Sequence, residues 1–450
     1  MSFRKKSFFN LLQSGLFIAT LIFGTKLVFA QSDVLIDLSM ETQPEVRIAV
    51  PEFEQLKGSS DSSGLGREGR EILENDLKLF ELFQPVRHSA YSSQASRERG
   101  TGKVDYSEWN GLGVQWLIKT QYQVASSGSN VFIFRLYDVV NERFIVGKRY
   151  RGKRQWVRRM MHRFADEVMA QLTGKRGVAE TQIAFLAQQG KSGKEMYVVD
   201  FDGYNLKKVT REQSVMLAPD WSPDGKAIVF TSYRDHNPDL VMVDRSGKKR
   251  KVLLQLPGLN SAPAWSPDGE KIALVLSKDQ NSEIYLLDKF ANLKRLTKHF
   301  NIDTSPAWSP DGRKIAFASD RSGTGAPQIF IMDARSGDSG GVKRISFSAS
   351  YNDNPAWSPT GDKIAYTALV NRKFQVKIYD LEKNQTYDLT TGGGNKEAPA
   401  WSPDGQFVAY RVEKGGNSTI HIKRVGSKKS RSLTFPPLTA LSPTWSPYSR

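Results

Sequence analysis

A pentapeptide repeat in the second half of the chain constrains the fold more than any other feature. It reads Trp221-Ser222-Pro223-Asp224-Gly225 and recurs from Trp265, Trp308 and Trp401, and from Trp357 with Thr360 in place of Asp. A truncated copy, Trp445-Ser446-Pro447, stands near Arg450. The intervals between tryptophans are 44, 43, 49, 44 and 44 residues. Self-similarity at roughly 40–50 residues, with four short strands per unit, is the signature of a β-propeller. Each copy has turn chemistry. Pro supplies the φ of a type I turn, Asp bonds the neighbouring backbone, and Gly accepts positive φ. An apolar strand follows each turn, as in Ile228-Val229-Phe230 and Ile315-Ala316-Phe317. A third strand closes on Asp244, Asp288 or Asp333, and a short polar fourth follows, as in Lys294-Arg295-Leu296-Thr297. The repeated Trp is expected between adjacent sheets, as packing and not as a ligand.

Counting units gives closure. Strands Ile183–Leu186 and Met196–Asp200 have no pentapeptide before them, and Trp445-Ser446-Pro447 has no strands after it. The terminal segment therefore completes the first unit, giving six blades in a closed ring with no strong unpaired edge.

Residues 31–175 lack the repeat and read as a small α/β domain. Segments 34–38 and 46–50 read as strands, as do 114–124, 131–137 and 143–150, the last two joined by a hairpin turn at Val140-Asn141-Glu142. Segment 67–83 carries Ile72, Leu73, Leu77 and Phe80 at helical spacing, and 155–172 is an amphipathic helix stopped by Gly174. Segments 58–66 and 89–103 read as polar loops. The expected architecture is multidomain, α/β plus all-β: a leader at 1–30, an N-terminal α/β domain at 31–175, and at 176–450 a six-bladed propeller closed by its C-terminal strand.

The leader reading rests on Arg4, Lys5 and Lys6, an apolar stretch from Phe8 to Gly24, and Val28-Phe29-Ala30. This is the three-part pattern of a secretory signal peptide cleaved between Ala30 and Gln31. The apolar run is shorter than the ~20 residues that span a bilayer. The chain has no cysteine, which excludes disulfides, thiolate metal sites and a cysteine nucleophile. Export without cysteine reads as periplasmic. Net charge is +17, or +13 without the leader. That favours anionic partners or is simply a soluble basic surface. A recognition helix or finger for nucleic acid is not evident.

Two catalytic look-alikes fail on context. Gly64-Leu65-Gly66-Arg67-Glu68-Gly69 fits a dinucleotide fingerprint, but more than ten residues separate it from the preceding strand. Gly337-Asp338-Ser339-Gly340-Gly341 fits a nucleophile elbow, but it reads as a polar hairpin loop between two strands of a blade. The repeat aspartates Asp224, Asp268, Asp311 and Asp404 sit on separate blades and form no carboxylate pair. The chain therefore reads as a non-enzyme with no cofactor and no metal site. The alternative is a periplasmic propeller enzyme acting on envelope glycans, which needs clustered acids or histidines along the channel.

Leader, small α/β domain and Trp-Ser-Pro-Asp-Gly propeller in this order resemble the TolB family, the periplasmic propeller proteins of the Tol-Pal system. Leu172-Thr173-Gly174, Arg176-Gly177 and Thr181-Gln182-Ile183-Ala184 resemble that family's interdomain junction, and Ile48-Ala49-Val50-Pro51 with Phe53 its N-terminal opening. The resemblance implies an interaction protein that binds the lipoprotein Pal through the propeller and the C-terminal domain of TolA through the mature N-terminus. It implies a role in outer-membrane integrity and in envelope constriction during cell division. On that basis the TolA-binding segment is Gln31 to Met40, with Gln31, Val34, Ile36 and Leu38. Its alternation suits strand addition to a partner sheet, or equally an edge strand of its own domain. Pal is expected at the loops entering each blade before the Trp: Met216, Asn260, Ser261, Ile302, Asp303, Thr304, Tyr351, Asn352, Asp353, Lys396 and Glu397. Their chemistry varies between blades while the framework repeats, through recognition or through drift.

Overall fold

The computed structural model describes residues 46–125, 128–190 and 193–448. The expected leader, its cleavage point at Ala30 and Gln31, and the segment with Val34, Ile36 and Leu38 lie outside the described residues.

Six four-stranded antiparallel sheets form the propeller. The first blade joins Gln182–Gln189, Glu195–Asp200 and Lys207–Lys208 to an innermost strand, Leu438–Trp445, from the far end of the sequence. Closure by the C-terminal strand is thus as expected. The innermost strands of blades two to six are Met216–Trp221, Asn260–Trp265, Asp303–Trp308, Asn352–Trp357 and Asn395–Trp401.

The repeat folds as its chemistry dictates. Ser222 Oγ donates to Asp224 Oδ1 at 2.7 Å, Lys226 N donates to the same oxygen at 3.0 Å, and Gly225 takes φ 68°. In the variant turn, Asp362 replaces the missing Asp as acceptor for Ser358 Oγ and Thr360 Oγ1. The tryptophans pack between blades: Trp308 Nε1 donates to Ala264 O of the preceding blade at 3.1 Å, and Trp401 Nε1 to Ala356 O at 3.0 Å. A second lock recurs at the outer strands. Thr210, Thr297, Ser346, Thr390 and Thr434 each accept a backbone N–H from the second or fourth residue of their blade's third strand at 2.8–2.9 Å.

Every innermost strand also carries a bulge that the repeat did not announce. Ala218, Ala262, Ser305, Asn354, Ala398 and Ser442 all have φ between 47° and 53°, and each precedes a proline. Left-handed backbone at a non-glycine residue costs roughly 1 kcal/mol or more and persists only where its surroundings over-determine it. Six occurrences at one position mark a geometric requirement of strands crowded around the axis.

In the α/β domain the sheet order is β3-β1-β4-β5-β6: Phe83–Pro85, Val46–Ala49, Trp116–Val124, Ser129–Asp138 and Arg143–Lys153, with β2 (Glu54–Gln55) against β4. Helices α1 (Leu65–Leu79) and α4 (Val157–Thr173) cover one face through Leu73, Leu77, Met161, Phe164 and Val168. Helices α2 (His88–Glu98) and α3 (Tyr106–Gly111) close part of the other around Tyr91 and Trp109. Three local expectations need correction. The helix expected to Phe83 ends at Leu79, because Glu81 at φ 55° turns the chain and Phe83 pairs with Val46 in the sheet. The polar loop expected at 89–103 is mostly α2. The Gly337–Gly341 stretch opens the outer strand Gly337–Arg344, where Ser339 is exposed and bonds Ser336 O.

Candidate functional site

The residues expected in blade-entry loops divide by position. Ile302 and Tyr351 precede their strands, but the other nine lie on the innermost strands themselves. Those five before the Trp, namely Met216, Asn260, Asp303, Asn352 and Lys396, are all buried. They are framework. Asn260 Nδ2 donates to Leu256 O at 2.7 Å, and Asn352 Nδ2 to Gln328 Oε1 at 2.8 Å. Arg321 donates to Asp303 Oδ2 at 2.6 Å. The Lys396 ammonium donates to the carbonyls of Thr391, Gly392, Gly393 and Gly394 at 2.6–3.3 Å, holding that loop closed. The next position, Ser261, Thr304, Asp353 and Glu397, is buried or half-buried. Ser305 Oγ donates to Asp353, whose carboxyl burial pushes above its ordinary range. Burial likewise raises Glu397, although Arg411 Nη1 lies 2.7 Å away. This corrects the loop placement: the positions beside the bulge lie on the innermost strands and are buried or half-buried in the ring.

The connections between blades carry the expected Ile302 and three exposed aromatics that the sequence reading missed. Phe300 is 86% exposed, Phe347 71%, Phe435 66% and Ile302 51%. Each lies on a connection between an outer strand and the next innermost strand, so all lie at the end of the ring where the innermost strands begin. Phe300 stacks on His299 at 4.4 Å, and the Arg344 guanidinium covers Phe347 at 4.8 Å. Phe300, Phe347 and Phe435 are thus exposed at one end of the rigid ring, while Phe290 and Tyr204 are exposed on turns between third and fourth strands at the other. A readable signal existed for the first three: each follows within three residues of the locking Thr297, Ser346 or Thr434, where a polar turn is due.

The α/β domain packs on the opposite end of the ring, beside the Trp-Ser-Pro-Asp-Gly turns. Phe80 stacks on Phe201 at 6.0 Å, and Phe201 also meets Phe407 and Trp445. Beside them lies a buried ionic cluster. His162 Nδ1 is 2.6 Å from Asp76 Oδ2, and Asp202 stands 3.7 Å from the other ring nitrogen and pairs with Arg158. Asp76 and Asp202 thus face the His162 imidazole and the Arg158 guanidinium, and burial raises the Asp76 carboxyl against the pull of those cations. Burial alone would lower the His162 pKa, but Asp76 and Asp202 outweigh it and hold the imidazolium up to about 9. A cation whose folded pKa exceeds its unfolded 6.5 contributes stability that is full below that value and is lost as pH rises through the folded one. Thermal stability should therefore fall between pH 6.5 and 9, by up to about 3 kcal/mol, and a His162→Gln variant should lack that slope. Equal slopes in the two proteins would refute the assignment.

The two motif look-alikes also resolve. Asp61 accepts the Leu65 and Gly66 amides at 3.0 Å each, so the start of α1 in the Gly64–Gly69 motif already holds a carboxylate of its own. Ser339 has no strand-turn-helix around it.

Residues 169–449 match the family model described as the TolB beta propeller domain, and residues 34–145 match that of the TolB amino-terminal domain. Among curated relatives named Tol-Pal system protein TolB, that of Desulfosudis oleivorans is 37% identical over 229 residues, 51% of this chain and 52% of the relative. That of Geobacter metallireducens is 40% identical over 171 residues, 38% and 39% of the two chains. The chain thus spans about half the length, or less, of the curated relatives it matches. The crystal structure of TolB from Acinetobacter baumannii superimposes with a TM-score of 0.78 at 26% identity, covering 90% of this chain and 98% of that one. Repeat, closure and both family matches agree, and the chain belongs to the TolB family.

Proposed function

We propose that the chain is a periplasmic binding component of the Tol-Pal system. It holds the lipoprotein Pal at the propeller end that carries Phe300, Phe347 and Phe435, and TolA through the segment Gln31 to Met40. In this role it joins envelope layers, supporting outer-membrane integrity and constriction at division, and catalyses nothing. The names of its relatives support membership of the system. The exposed aromatics at the free end of the ring carry the Pal assignment, because large apolar side chains that the fold does not bury are stabilised by a partner's pocket. Among the described residues no helix is long and apolar enough to cross a membrane.

Titration of the Phe300→Ala/Phe347→Ala variant with the soluble domain of Pal tests the surface, and the TolA C-terminal domain titrated in parallel serves as control. Two interface aromatics at ~2 kcal/mol each weaken Pal binding by about a thousandfold, while TolA binding is unchanged. Unaltered Pal affinity in a folded variant would move the interface elsewhere.

A further inference from the structure

From Arg143 to Ala165 the chain has nine basic residues and no aspartate or glutamate. Six of the nine are paired: Arg143 with Asp138, Lys148 with Glu167, Arg154 with Glu68, Arg158 with Asp202, and Arg159 and Arg163 with Glu180. The remaining three, Arg149, Arg151 and Lys153, are exposed, and none has a carboxylate within ion-pair distance among the described residues. They alternate along β6, which pairs only with β5 and so forms the open edge of the sheet. Alternate residues of a strand share one face, about 7 Å apart. Here that face is the one opposite α1 and α4, since the intervening Lys148 bonds Glu167 of α4.

The neighbouring strand extends the surface. Arg135, across from Gly147, donates to the Gln121 amide and has no carboxylate partner among the described residues. At the far end Phe144 is 53% exposed and sits edge-on to Tyr137 at 5.6 Å. The result is a one-sided cationic edge of the sheet with an aromatic at its tip, beyond the part of this face that α2 and α3 cover, on a different domain from the exposed aromatics of the propeller.

We propose that this outer face of β5 and β6 docks the protein on an anionic phospholipid surface, with Arg135, Arg149, Arg151 and Lys153 against headgroup phosphates and Phe144 at the interface. Charge complementarity argues for this occupant. Unpaired cations held on one side of a sheet edge can meet a negatively charged surface together, and each basic group near such a surface strengthens binding about fivefold. An exposed aromatic beside them suits the boundary between headgroups and acyl chains.

The test uses protein secreted by its own leader and recovered in processed form. It is sedimented with phosphatidylcholine vesicles in which one lipid in four is phosphatidylglycerol, at low and at physiological salt. Arg149→Gln/Arg151→Gln/Lys153→Gln is compared with Lys248→Gln/Lys249→Gln/Lys251→Gln, which removes the same charge from exposed propeller positions. The expected result is vesicle binding that weakens with salt, falls about a hundredfold in the first variant and is nearly kept in the second. Equal loss in both variants would show diffuse charge and overturn the proposal. So would the absence of vesicle binding, or soluble polyphosphate binding more tightly than vesicles with the same dependence on Arg149, Arg151 and Lys153.

Discussion

Removal of the closing strand, Leu438–Trp445, is expected to abolish the cooperative fold of the propeller. That strand is the innermost member of the first blade and pairs antiparallel with Gln182–Gln189. Trp445 Nε1 donates to Thr181 Oγ1 at 2.8 Å, and its ring packs with Phe201 and Phe407. Thr444 reaches Asp220 of the second blade. Truncation before Leu438 therefore leaves an unpaired inner edge and opens the contact between the first and last blades. Loss of one large buried aromatic alone costs about 3–5 kcal/mol. A whole inner strand exceeds the roughly 5–15 kcal/mol by which domains are stable. Calorimetry should show no sharp propeller transition, and the protein should aggregate through the exposed edge. A single transition near the parent's temperature would mean that the ring does not depend on its latch.

Phe201→Ala should have the next largest effect, and a different kind of effect. Phe201 is fully buried where the two domains meet, stacked on Phe80 from one side and against Phe407 and Trp445 from the other. The Arg431 guanidinium lies 5.2 Å from its ring and donates to its carbonyl at 2.6 Å. The cavity should cost about 3–5 kcal/mol. Because the lost contacts cross the seam, melting should separate into two steps, one per domain, while the parent is expected to melt in one. A lower but still single transition would place the cost within the propeller alone.

The propeller was legible because its determinants are local. Ser222, Pro223, Asp224 and Gly225 specify a turn among themselves, and a turn that recurs with a Trp at regular intervals counts the blades. Helix α2 was not legible because its inward stripe is polar. Gln94 and Glu98 are buried along it, and Glu98 accepts from Trp109 Nε1 at 3.0 Å and Lys119 Nζ at 3.0 Å. No apolar periodicity marks such a helix, and the residues that satisfy it are distant in sequence. The break after Leu79 is a tertiary choice, in which Phe83 gains a strand partner in Val46. The same contrast governs the site. The variable positions before each Trp were visible, but their burial was not, because Lys396 looks like any surface lysine until its ammonium is found among four carbonyls. Phe300 and Phe347 stood in plain sight as solitary aromatics, yet only the ring brings them to one end.

The most direct measurement is a calorimetric titration of the processed protein with the soluble domain of its own organism's Pal, at low and at physiological salt. The expected result is saturable one-to-one binding that survives the higher salt, because an interface built on Phe300, Phe347 and Phe435 draws mainly on apolar burial, which salt does not screen. Absence of binding, or binding that vanishes as salt rises, would contradict the role proposed for this end of the ring.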